Sequence, residues 1–117
     1  MDAVLHFDTE RMFVLGKLAT TCERLASGGV RVVVIVTDEA VHAFKLPPQS
    51  REQDLGRLAA LVHAGRVTVA MCEASTQQFG VLPSMLAPFV RSTPVGVVEI
   101  ARLQSQGFAY LTVTSSR

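Results

Sequence analysis

Residues 30–36 read VRVVVIV, a run of β-branched side chains broken by one arginine. A strand with one wet face alternates polar and apolar residues at every second position. A run that is apolar almost throughout suits a strand covered on both faces, and such strands belong to parallel sheets with helices above and below. Parallel neighbours need long crossovers, so helical segments are expected on either side of this strand.

The flanking sequence provides them. Residues 3–7 (AVLHF) are short and mostly apolar, and Asp8–Thr9 offers a helix N-cap. Leu15, Leu18, Ala19, Cys22, Leu25 and Ala26 then recur at helical spacing, opposite Lys17, Thr20, Glu23 and Arg24, until Gly28 and Gly29 end the helix. Beyond the valine run, Thr37, Asp38 and Glu39 close the strand, and residues 40–44 suit a helical turn before Pro47 and Pro48. Ser50 is the expected cap of a second helix, with Leu55, Leu58, Ala59 and Val62 on one face and Gly65 past its end.

A third strand is predicted over residues 67–71, followed by a short helix over 74–79 that stops at Gly80. A fourth strand is expected near residues 89–91. Thr93 and Pro94 open a last helix in which Val97, Ile100, Ala101 and Gln104 share a side, and residues 109–113 form the final strand. Strand and helix alternate throughout. The expected fold is therefore α/β, a three-layer α/β/α sandwich with a mostly parallel sheet of about five strands, in one domain spanning residues 1–117.

Charge and cysteine content narrow the function. The net charge is +1 and charges of both signs are scattered, so no field or basic stripe would draw nucleic acid or an anionic membrane. Cys22 and Cys72 are far apart and in no CxxC or Cys/His ligand spacing, so neither a disulfide nor a metal site is expected. The opening MDAVLHFDTER lacks the basic-then-apolar profile of a signal peptide, and no apolar run is long enough to span a bilayer. A cytoplasmic location with reduced thiols is the expectation.

In parallel sheets ligands collect outside the carboxyl ends of the strands. The residues expected there are His6, Asp8, Thr37, Asp38, Cys72, Ser92 and Thr93. Phosphate-cradling loops of the GxxxxGK[ST] or GxGxxG type and a Gly-x-Ser-x-Gly elbow are absent. Cys72 stands out, because a thiol between a strand and a starting helix can receive amide hydrogens and the positive end of a helix dipole. Both favour thiolate, while the neighbouring Glu73 opposes it. The alternative is that Cys72 packs as a small hydrophobe, which is the expected role of Cys22 on its apolar stripe. His6 either orients a group at the sheet edge or is satisfied by hydrogen bonds, and His42 and His63 are expected on helix surfaces.

Two longer stretches add a resemblance. GVVEIARLQSQGFAY (residues 96–110) resembles the closing helix and strand of the DsrE/DsrF-like family, and LHFDTERMFVLGKLATTCERLASGG (residues 5–29) resembles its opening. The VVVIVT strand and a cysteine after the third strand then fall where that family has them. The resemblance implies a small α/β/α protein that assembles into trimers or hexamers. It also implies a sulfur carrier of the sulfur-relay or sulfur-oxidation type, in which Cys72 bears a persulfide and a donor or acceptor protein is the partner. No cofactor is implied, since the terminal sulfur rides on the side chain. Helix-start amides near residues 74–76, with the hydroxyl of Ser75 or Thr76, would then steady the charged sulfur, with His6 and Asp8 nearby. Two other functions stay open: a non-enzymatic oligomeric binding or partner-interaction module, and a redox-sensing thiol protein. An apolar stretch at residues 81–90 (VLPSMLAPFV) is the candidate subunit interface.

Overall fold

The computed structural model describes residues 1–9, 14–48 and 51–113. Strands and helices alternate along the chain. They run β1 (Asp2–Phe7), α1 (Val14–Ser27), β2 (Arg31–Val36), α2 (Glu52–His63), β3 (Val67–Cys72), α3 (Glu73–Gln78), β4 (Arg91–Thr93), α4 (Gly96–Ser105) and β5 (Ala109–Thr112). Short 3-10 turns cover Asp38–Phe44 and Pro83–Met85. The five strands form one sheet in the order β4-β3-β2-β1-β5, and every neighbouring pair is parallel.

That order explains where the helices lie. From β1 to β4 the chain steps across the sheet in one direction, so right-handed crossovers put α1 and α2 on the same face. The step from β4 to β5 runs back the other way, and the same handedness puts α4 on the opposite face. The valine-rich β2 is buried from both sides, as its composition requires. Val32, Val34 and Val36 join Leu5, Phe7, Val69 and Met71 against Leu18 and Cys22 of α1 and Leu55 and Leu58 of α2. Ile35, with Val4 and Ala70, meets Ile100 and Leu103 of α4 and Phe108. Each fully buried leucine or phenylalanine among these contributes about 1.5–3 kcal/mol through burial.

Among the described residues α4 alone covers its face, so that layer is incomplete. A groove of about 390 Å³ lies beside it over β2, β3 and β4, lined by Val33, Ala70, Arg31 and Arg91 among others. The two helices of the other face are tied at the surface by Arg57 of α2. Its guanidinium donates to Glu23 and Thr20 of α1 and to Asp54 of its own helix.

Several boundaries differ from expectation. The fourth strand is Arg91–Thr93, two residues later than residues 89–91, because Phe89 and Val90 pack back onto the larger core. Helix α4 buries Gly96, Ile100 and Leu103, so of the expected side of Val97, Ile100, Ala101 and Gln104 only Ile100 faces inward. Val97 and Val98 stand 61% and 64% exposed. The phase was hidden because its inward first residue is a glycine, which leaves no apolar mark in the pattern. The helix start expected after Asp8–Thr9 and the cap at Ser50 lie in residues 10–13 and 49–50, outside those described. No helix among the described residues is long and apolar enough to cross a membrane.

Candidate functional site

Strand β3 carries Cys72 to the carboxyl edge of the sheet, and the chain turns at once into α3, with Cys72 as the residue before its first turn. Side chains alternate along a strand, so Cys72 points to the face opposite Met71, beneath the start of α4. There its Sγ accepts the backbone N–H of Gly96 at 3.2 Å. Only glycine permits that approach. A Cβ on Gly96 would lie 2.6 Å from Thr37 Cγ2, 3.1 Å from Ile35 Cγ2 and 3.2 Å from Cys72 Cβ. The first amide of a ten-residue helix, with the positive end of its dipole, is thereby brought onto a sulfur atom.

A second donor comes from α3. Ser75 sits three residues past Cys72, in the first turn of α3. Its Oγ accepts the N–H of Asp38 at 2.8 Å, which leaves its own hydrogen free to face the sulfur. Burial pushes the Cys72 thiol up, but the Ser75 hydroxyl, the Gly96 amide and then the amides of Ser75 and Ala74 outweigh it. The net result is a thiol held below its ordinary value. The Ala74 share is the smallest, and that N–H also donates to Pro94 O at 3.2 Å.

The other elements at this edge form a hydrogen-bonded chain. Thr37 Oγ1 donates to Asp38 Oδ2 at 3.2 Å and accepts from His6 Nε2 at 2.8 Å. With the threonine hydrogen so used, Nε2 is the donor of that pair, and Nδ1 hydrogen-bonds with the Tyr110 hydroxyl at 2.9 Å. Asp38 itself has φ +56°, in the left-handed region that few residues other than glycine enter. His6, Thr37, Asp38, Ser75 and Cys72 are thus brought together from β1, the turn after β2, α3 and β3.

Other expected residues stand apart. Thr76 is buried, but its hydroxyl donates to Glu73 O at 3.0 Å within its own helix. Asp8 is exposed, and among the described residues nothing joins it to this group. Thr93 pairs in register with Cys72 on the neighbouring strand, while Ser92 faces outward. Gly96 and Tyr110 were not singled out in the sequence. A Pro-Val-Gly opening a helix opposite a strand-end cysteine was the available signal for Gly96. The sulfur is more enclosed than a sheet-edge position suggested, with Cys72 only 4% exposed. Neither the groove beside α4 nor the apolar hollow of about 350 Å³ along α2 is lined by it. Among the described residues no group of three His, Cys, Asp or Glu side chains is placed to hold a metal.

These features describe a small, all-parallel α/β protein with one thiol set among hydrogen-bond donors at the carboxyl edge of its sheet. Residues 8–113 match the DsrE/DsrF-like family, and the chain belongs to it. Solved structures share the fold at low identity. Protein MTH1491 of Methanobacterium thermoautotrophicum, described as of unknown function, superposes with a TM-score of 0.82 at 21% identity, over 95% of this chain and 97% of that one. The ychN protein of E. coli gives 0.69 at 19% identity, over 96% and 99%. BT1422 of Bacteroides thetaiotaomicron, a conserved protein described as of unknown function, gives 0.67 at 15%, over 94% of each chain. No curated protein matches the chain.

Proposed function

We propose that this protein is a sulfur carrier in which Cys72 accepts and releases sulfane sulfur as a persulfide. The observation that carries the reading is the Gly96 N–H on Cys72 Sγ at 3.2 Å, joined by Ser75. Donors that favour a thiolate also favour the terminal anion of a persulfide. In loading, the Cys72 thiolate attacks the outer sulfur of a donor persulfide. A new S–S bond forms to Cys72, the donor's S–S bond breaks, and the donor leaves as thiolate. In unloading, an acceptor thiolate attacks the outer sulfur and Cys72 leaves as thiolate. Neither step changes the net oxidation state, so no cofactor is required.

Family membership supports a sulfur-relay setting in the cytoplasm, with a donor or acceptor protein as partner, and a homo-oligomer of trimeric or hexameric form. In the 81–90 stretch, Leu82 and Met85 remain 57% and 37% exposed, and Leu46 hydrogen-bonds to Met85 beside them. Leu86 and Phe89 instead pack on the core, so the apolar surface available for assembly is smaller than the sequence suggested. Light scattering on dilute protein is expected to give an oligomer that Met85→Asp weakens, since a charge there would be buried unpaired. A micromolar monomer would rule the interface out.

One observation favours a second reading, a non-enzymatic binding or interaction module: Cys72 is almost fully enclosed. Mass spectrometry after incubation with a persulfide donor separates the two. The carrier gains one sulfur atom on the Cys72 peptide, released by an added thiol. A binding module gains none.

A further inference from the structure

The residue that organises the thiol site touches no sulfur. Asp38 follows β2 and is the only non-glycine residue among those described with a positive φ, at +56°. Left-handed backbone is disfavoured for a side-chain-bearing residue and persists only where its surroundings over-determine it. Here they do. Thr37 Oγ1 donates to the Asp38 carboxylate, and His6 Nε2 donates to Thr37 Oγ1, so β1 and β2 together hold the turn. The turn aims the Asp38 N–H at Ser75 Oγ, 2.8 Å away and 37 residues further along the chain.

That bond decides what Ser75 can do. A hydroxyl has one hydrogen and rotates freely unless its acceptor side is occupied. With Asp38 N–H on its lone pair, the Ser75 hydrogen is turned away from Asp38, and Ser75, on the first turn of the helix that Cys72 precedes, is among the groups that hold the Cys72 thiol down. We propose that Asp38 is a positioning residue for Cys72: its left-handed backbone fixes the Ser75 hydroxyl as a donor to the sulfur. This rests on the reading of Cys72 as the reactive thiol and adds to it a residue supplied by a different strand.

The proposal has a sign that a purely electrostatic role lacks. The charged and titratable groups that face this edge are the Asp38 carboxylate after β2, Glu73 on α3 and the His6 imidazole on β1, which is bonded to Thr37 and Tyr110. Removing the carboxylate alone favours thiolate. Removing the backbone placement disfavours it. Asp38→Gly gives up the Thr37 contact but still reaches the placement, because glycine enters the left-handed region freely and keeps its N–H for Ser75. Asp38→Val loses it, because a β-branched residue does not.

The test is an NMR titration of isotope-labelled cysteine Cβ in the full-length protein, with folding of each variant checked by thermal unfolding. Asp38→Val is expected to lower the Cys72 acid dissociation constant about tenfold, and Ser75→Ala to lower it by a similar factor. Asp38→Gly is expected to leave it unchanged or raise it slightly. In the Ser75→Ala background, Asp38→Val is expected to lower it no further, since the hydroxyl it positions is gone. An Asp38→Val protein whose Cys72 becomes as acidic as in Asp38→Gly overturns the proposal. So does an equal loss with and without Ser75. If the titrations behave as expected but no persulfide loads, the carrier function fails and the role of Asp38 stands.

Discussion

Cys22 and Cys72 are both buried in one small protein, at 0% and 4% exposure, yet their surroundings drive them in opposite directions. Around Cys22 lie Leu18 and the apolar face of the sheet. Burial, with the charge of Glu23, pushes that thiol up to about 12. Cys72 has Gly96 N–H and Ser75 at hand, and its thiol is held down in spite of burial. Enclosure alone therefore does not set the acidity of these two thiols. Donors for the charged form stand at Cys72, whereas desolvation dominates at Cys22.

The largest expected effect comes from removing the feature that makes the two sites differ. Gly96→Ala forces a Cβ against Thr37, Ile35 and Cys72, so the first turn of α4 must shift. A loss of about 2–3 kcal/mol in denaturant-derived stability is expected. The Cys72 thiol should also move toward the Cys22 pattern, as its slowed reaction with alkylating reagents would show. A neutral Gly96→Ala would mean the close approach is not what holds the sulfur.

The next contrast exchanges sulfur for oxygen. Cys22→Ser buries a hydroxyl among apolar side chains and is expected to lower stability by about 1–2 kcal/mol. Cys72→Ser meets Gly96 N–H in place and should lose less. Denaturant midpoints of the two variants check the ranking, and a larger loss for Cys72→Ser would reverse it.

A smaller effect appears with pH, where the two thiols have opposite signs. The folded-state value of Cys22 is raised above the ordinary 9.0, so its contribution is full below pH 9.0. It fades as pH rises from there through about 12, at about 1.4 kcal/mol per pH unit. Cys72 is lowered from 9.0, so its contribution is present above pH 9.0 and lost as pH falls through its folded value. Relative to the native protein, Cys22→Ala should regain stability as pH climbs above 9.0. Cys72→Ala should fall further behind as pH approaches 9.0 from below. Parallel curves for the two variants would contradict the opposed shifts.

The sequence made the fold readable where side chains carry the signal. The unalternating valines of β2 required cover on both faces, and the Leu18–Cys22–Leu25 stripe marked the buried side of α1. It also named Cys72 and Ser75, because a strand running into a helix puts both at one turn. The rest of the site depends on residues whose contribution is backbone. Gly96 matters for lacking a Cβ and for an N–H, 24 residues away from Cys72. Asp38 was legible as a strand-end residue, but its left-handed turn onto Ser75 is set by the pairing of β1, β2 and β3. The inward face of α4 was missed for the same reason, since Val97 and Val98 look like core residues and face solvent.

The comparison is tested most directly by timed alkylation of the native protein across a range of pH, with peptide mapping of both cysteines. Cys72 is expected to label first, with a rate that rises through a midpoint below the ordinary thiol value. Cys22 should label only as the protein unfolds. Equal labelling of the two, or Cys22 ahead of Cys72, would contradict the account.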